Sequence, residues 1–278
     1  MLAKATYVED VTLSSSTTSA ATLQFFGGGA TLMHPAVLDE VLLNATDVGF
    51  DIHDVTLIGS ASGPPAVDTG TVPCSLENVT IENATTAINV ANTVLTITNI
   101  QISNAGNGIS LFGGATLTLD RAVIHDVRVA PISVANVGDG SVNITNLMAY
   151  NAGSSLELAG ANGTIAFSTI GATTGTGSAA ALDCGPSVTL DSTIVWNTTG
   201  AAISGTCQVV HSSIAGPTAV MGTANANPLF ANELQGDYHL TADSPAIDQV
   251  GTGPATDFEG DARPQGSAFD IGADEYKP

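Results

Sequence analysis

Basic residues are nearly missing from this chain. Five Lys and Arg stand against 26 Asp and Glu in 278 residues, a formal net charge of −21. The five are Lys4, Arg121, Arg128, Arg263 and Lys277. Nucleic acids and anionic membranes are bound through clustered cations, so neither is a fitting partner. A polyanionic sugar is disfavoured for the same reason, unless a bound metal supplies the positive charge. Aromatics are also sparse, at 5% with a single Trp. Three cysteines, Cys74, Cys184 and Cys207, form no zinc pattern and allow at most one disulfide. No apolar run is long enough to span a bilayer, so no membrane insertion is expected. No charged segment followed by an apolar run opens the chain, so no signal peptide is visible. "MLAKATYVEDVTL" goes almost at once into a strand-like pattern. The expectation is a chain whose targeting segment, with some upstream coils, lies outside this sequence.

What is present is a repeat. Apolar residues make up 44% of the chain, enough for a core, and 30 glycines punctuate short alternating segments. "LENVTIENATTAINV" from Leu76, "LTITNIQISNAGNGISL" from Leu95 and "LTLDRAVIHDVRVAPISV" from Leu117 match head to head. Equivalent apolar positions fall at Leu57, Ile81, Ile102, Ile124, Ala149, Ile170, Ile194 and Ile214, every 20 to 25 residues. Leu13 and Leu32 extend the series. Alternation with period two means strands with one face inward. Three such strands per repeat leave no room for a crossover helix, and the repeats do not mirror one another as hairpins would. A chain that goes round and returns one strand spacing higher satisfies both conditions. The predicted fold is therefore all-β: a single-stranded right-handed parallel β-helix, or β-solenoid. It has three short strands per coil of about 22 residues and about ten coils.

Two positions after the aligned apolar residue stand Asn83, Asn104, Asp126 and Asn151, with Asn197 displaced by one. These residue types tolerate left-handed turn geometry and bond to local backbone. Stacked one per coil, they read as a structural ladder.

With coil length, three strands and this ladder in place, residues 50–220 resemble the right-handed parallel β-helix proteins of the pectin-lyase-like group. The tail, "NPLFANELQGDYHLTADSPAIDQVG" followed by "TDFEGDARPQGSAFDIGADEY", resembles the C-terminal segment of secreted and surface bacterial β-helix proteins. This is the choice-of-anchor group, whose members carry varied cell-surface attachments. Asn227 replaces the usual acid before Pro228, and Ala262 stands where a Pro is common. The resemblance implies an extracellular or cell-surface bacterial protein; it supplies no reaction.

Physically, a solenoid ends in open backbone groups and an apolar interior that invite association. The division expected is a β-helix over 1–225 and a C-terminal capping segment over 226–278 packed on the last coil. Arg263, set among Asp257, Glu259, Asp261 and Asp270, is expected to meet a carboxylate. Asp257, Arg263 and Asp270 are named as cap residues. Asp257, Glu259 and Asp261 also offer hard oxygen ligands, but no calcium loop of fixed spacing accompanies them. No cofactor is expected, with calcium as the alternative.

Catalytic signatures are weak. The Asn-Thr-Asp, Asp-Asp, Gly-His-Gly and Arg-Ile-Lys strings of polygalacturonases do not occur. "DRAVIHDVR" gathers His125, Asp126 and Arg128 as the one catalytic candidate cluster, against a solvated turn with a local ion pair. His53 and His211 sit at similar strand edges and read as outward filler. Tyr150 and Trp196, near one register, form a candidate sugar-stacking platform. Cys184 and Cys207, about one coil apart, are a candidate disulfide, leaving Cys74 as a buried thiol. The functional expectation is a non-catalytic exported or cell-surface structural or adhesive protein. Its partner would be an extracellular polysaccharide or a cell-surface protein. The alternative is a polysaccharide-binding module, or a lyase or glycoside hydrolase of the same fold.

Overall fold

A computed structural model describes residues 3–14, 22–34, 41–46, 48–135, 140–171, 180–198, 200–215 and 226–278. Every pairing between coils is parallel, in a 13-stranded sheet and a 9-stranded sheet that climb side by side. The chain is a parallel β-solenoid. Each strand bonds to the strand one coil above and one below, at a rise of roughly 4.8 Å.

The inward column follows the predicted register. Leu32 pairs with Leu57, Leu57 with Ile81, Ile81 with Ile102, Ile102 with Ile124 and Ile124 with Ala149. Ala149 then pairs with Ile170. All are buried and stack like on like. Two positions differ from expectation. Ile170 pairs with Val195, which pairs with Ile214, so Val195 points inward and Ile194 outward. "TIVW" offers two adjacent apolar residues, and periodicity alone cannot choose between them. At the other end Leu32 pairs with Tyr7, whereas Leu13 lies on a strand of the second sheet.

The three strands expected per coil are present, but the first two run together. Gly49–Ile58, Val94–Ser103, Thr116–His125 and Ser141–Tyr150 are each one ten-residue strand bent in the middle. The bend is a single left-handed residue, recurring at Asp54, Asn78, Asn99, Arg121, Asn146, Phe167, Ser192 and His211 (φ between 45° and 59°). An L-residue there costs about 1–2 kcal/mol, least for Asn and Asp, which occupy half of these corners. Amides climb the corner: Asn78 Nδ2 donates to Asp54 Oδ1 at 3.0 Å, and Asn99 Nδ2 to Asn78 Oδ1 at 2.8 Å. This ladder was not foreseen.

The foreseen row is a second corner. Asn83, Asn104, Asp126 and Asn151 share one register and a left-handed backbone, with φ from 52° to 56°. Asn151 Nδ2 donates to Asp126 Oδ1 at 3.2 Å. The row faces outward at the turn, while Ala84, Ala105, Val127 and Ala152 behind it fill the corner of the core. Asn197, two positions after Val195, falls into the same register but lacks the left-handed φ and is fully buried.

Cys184 and Cys207 are joined, with Cα atoms 5.5 Å apart. Cys74 is a buried free thiol whose pKa burial pushes up to about 11.

The tail has little regular structure: an antiparallel pair, Phe230–Asn232 with Asp237–Leu240, and a short turn, Glu233–Gln235. Its contacts run to several coils. Asn146 Nδ2 donates to Thr256 O, Ala273 N to Thr169 Oγ1, and Gly272 N to Ser192 O. Tyr238 and Ala273 pack on Met148, and Leu240, Ala246 and Ile271 on Phe167 and Ile194. The tail therefore lies along the flank of several coils. The reason is in the outward column. Thr56, Thr80 and Gln101 are polar, but one coil on the same position becomes Val123, then Met148, and later Ile194. With Thr169 between Met148 and Ile194, these residues make two apolar patches, and the tail covers both. The boundary expected at 225/226 adjoins residues 216–225, outside the described residues.

Candidate functional site

The structure gathers some of the anticipated residues in the seam between flank and tail. His125 Nδ1 lies 2.7 Å from Asp126 Oδ2, and the His125 ring stacks on Tyr150 at 5.1 Å. Tyr150 packs on Tyr238, Tyr238 on Phe230, and Phe230 edge-on against Trp196. Trp196 Nε1 donates to Glu233 Oε2. Tyr150 and Trp196, both half-buried, thus pack against the tail. Burial, and then the charges of Asp126 and Asp237, push the Tyr150 phenol above its ordinary pKa. Arg128 does not join His125 and Asp126: it is exposed, its backbone N–H donates to Ala105 O, and its guanidinium lies against Gly106. The expected cluster is a His–Asp pair held by a ring stack.

Inside the tail, Arg263 meets a carboxylate as anticipated, but the partner is Glu275. Nη1 lies 3.2 Å from Glu275 Oε2, and both side chains are fully buried. Nη2 donates to Gly272 O and Ala273 O at 2.8 and 2.6 Å, and the guanidinium sits over the Phe167 ring. Asp270 accepts from Asp248 N and Tyr276 N, both at 2.7 Å, yet burial pushes its pKa up to about 6. Asp257 accepts Glu259 N and Asp261 N on Oδ1. His239 lies between Asp237, at 2.6 Å, and Glu259, at 3.2 Å.

A second place, on the outward face of the early coils, was read as filler. Strands Thr22–Met33, Gly49–Ile58 and Cys74–Glu82 stack there, bringing Gln24 beside Asp51 and Asp51 beside Ser75. The same stacking aligns Phe26, His53 and Glu77. His53 Nε2 is 3.0 Å from Asp51 Oδ1, and Nδ1 is 3.0 Å from Glu77 Oε2. Ser75 Oγ and Gln24 Nε2 both donate to Asp51. Phe26, 38% exposed, stacks on the His53 ring at 4.8 Å and 12°. The Ser75 hydroxyl lowers the Asp51 pKa against its partial burial, with His53 and Gln24 helping. Burial pulls His53 down, but its bonds to Asp51 and Glu77 and their charges outweigh that and leave it raised. The result is a histidine ring clamped between two carboxylates beneath an exposed ring. The signal was in the sequence: Gln-x-Phe at 24–26, Asp-x-His at 51–53 and Ser-x-Glu at 75–77, one coil apart.

No family model matches the chain, and no curated protein matches it. Among solved structures it is similar to the crystal structure of pectate lyase Pel9A, at 13% identity and a TM-score of 0.42. The match covers 96% of this chain and 86% of that one. It is a distant match to a pectate-lyase β-helix. Likeness at that level carries no activity across. Among the described residues, no helix is long and apolar enough to cross a membrane.

Proposed function

We propose that this is a non-catalytic, exported or cell-surface β-helix that adheres to extracellular polysaccharide through the face bearing Phe26 and His53. The observation carrying this reading is the exposed Phe26 ring stacked on His53, bordered by Gln24, Asp51, Ser75 and Glu77. A planar apolar surface rimmed by fixed carboxylate, amide and hydroxyl groups suits the apolar face and hydroxyl edge of a sugar. The charge of −21 selects a neutral glycan over a uronate polymer. Catalysis is less well supported at this face. Glycoside hydrolysis needs two carboxyl groups free to reach the scissile bond, and here both Asp51 and Glu77 are bonded to His53.

The test is a panel of neutral and uronic-acid polysaccharides scored for retention and for product release. Retention of a neutral polymer without release is expected, weakened about tenfold by Phe26→Ala, the scale of about 1.4 kcal/mol of lost contact. Unchanged retention in both Phe26→Ala and His53→Ala, or release of oligosaccharide, refutes the reading.

A further inference from the structure

We propose that Asp257, Glu259 and Asp261 form a site for a divalent cation of the calcium type in the tail. The ligand oxygens of the three residues lie within 4.8 Å of one another. Acidic residues at a surface gather often enough without an ion, and the cluster alone carries nothing. The deciding feature is Asp257. Its side chain is fully buried, Oδ1 takes the Glu259 and Asp261 amides, and Oδ2 meets no hydrogen-bond donor. A buried carboxylate oxygen without a partner is costly unless something positive reaches it. One oxygen of this carboxyl lies within 4.8 Å of an oxygen of each of Glu259 and Asp261.

Of the neighbouring cations only Lys277 bonds a member of the cluster, and a bound ion would displace it from Asp261. Arg263 gives its terminal nitrogens to Glu275 and to the Asp270, Gly272 and Ala273 carbonyls. Lys277 pairs with Asp261 at the exposed side, and Arg121 reaches the loop near Gly260. A second arrangement, His239, Glu259 and Asp274, shares Glu259. It is the poorer site, because His239 is already bonded to Asp237 and Asp274 accepts Leu240 N. An all-oxygen set with several charges suits calcium, and magnesium, which keeps its waters and demands octahedral geometry, suits it less. A bound cation would tie the 257–261 turn to the core of the tail. The site uses none of the residues of the proposed glycan face.

The experiment is calorimetric titration of the full chain, stripped with EDTA and dialysed, with calcium chloride and separately magnesium chloride at constant ionic strength. One saturable calcium site per chain is expected, with magnesium weaker. Glu259→Gln and Asp261→Asn each remove a charged ligand from a partly open position and should weaken calcium binding by at least about tenfold. Circular dichroism of both variants should match the unaltered protein, since neither side chain is in the core. Weak, non-saturating uptake spread over the acidic surface overturns the proposal, as does unchanged affinity in both variants. Absence of binding also overturns it.

Discussion

Arg263 offers the sharpest test of how the tail is held. Its side chain is fully buried, paired with an equally buried Glu275, and it bonds three backbone carbonyls. Replacing it with Met keeps much of the volume and the contact with Phe167 but strands the Glu275 carboxylate. Breaking one side of a buried ion pair costs about 3–5 kcal/mol. At about 1.4 kcal/mol per tenfold, the docked tail should lose roughly 10² to 10³ in its equilibrium constant. The column makes its own inter-coil bonds and should survive. Trp196, the single Trp, reports the difference, because it contacts Phe230 and Glu233 of the tail. In urea titrations, Trp196 fluorescence of Arg263→Met should change well before the far-ultraviolet circular dichroism does. Replacing both partners with apolar residues should recover part of the loss, because no charge is then stranded. A Trp196 midpoint unmoved by Arg263→Met refutes the reasoning.

Three further outcomes follow from the same geometry. Asp270, raised to about 6, and Asp274, also raised, are pushed up by burial, while His239 is raised because Asp237, Asp274 and Glu259 outweigh its burial. Each favours the folded tail when protonated, and that contribution is lost as pH rises through the folded pKa. In EDTA, the Trp196 midpoint in urea should therefore be higher at pH 5 than at pH 8. Asp237, lowered by its bond to His239, opposes this only as pH falls below 3.8. Within the column, Ile102→Ala should cost about 2–5 kcal/mol in thermal or urea unfolding, since Ile102 is 0% exposed. Its outward neighbour Gln101, as Gln101→Ala, should stay within about 0.5 kcal/mol. Replacing Cys184 and Cys207 together with Ser opens a link of sequence separation 23 and should lower stability by about 3 kcal/mol, read by urea unfolding.

Much of the column was legible because its rules are local. A side chain two residues on faces the same way, and a like residue one coil later lies against it. Those two facts place Leu57, Ile81, Ile102 and Ile124 inside without knowledge of anything distant. Where locality is ambiguous the reading slipped: Ile194 and Val195 are equally apolar, and only pairing with Ile170 turns Val195 inward. His53 was passed over because its meaning depends on what stands opposite. Asp51 and Glu77 make it a clamped ring, and Phe26 a ring stack, only when three coils are superposed.

The sequence by itself determined the parallel solenoid, its coil length, its exposed corner residues and the shortage of cations that narrows its partners. Tertiary structure alone decided where the tail lies, that Glu275 and not Asp257 or Asp270 is the ion-pair partner of Arg263, and that Tyr150 and Trp196 pack against the tail. The physical reason is that the repeat is written in near neighbours along the chain. The docking of the tail instead depends on apolar residues far apart in sequence, Val123 beside Met148 in one patch and Phe167 beside Ile194 in another, which nothing but stacking brings together.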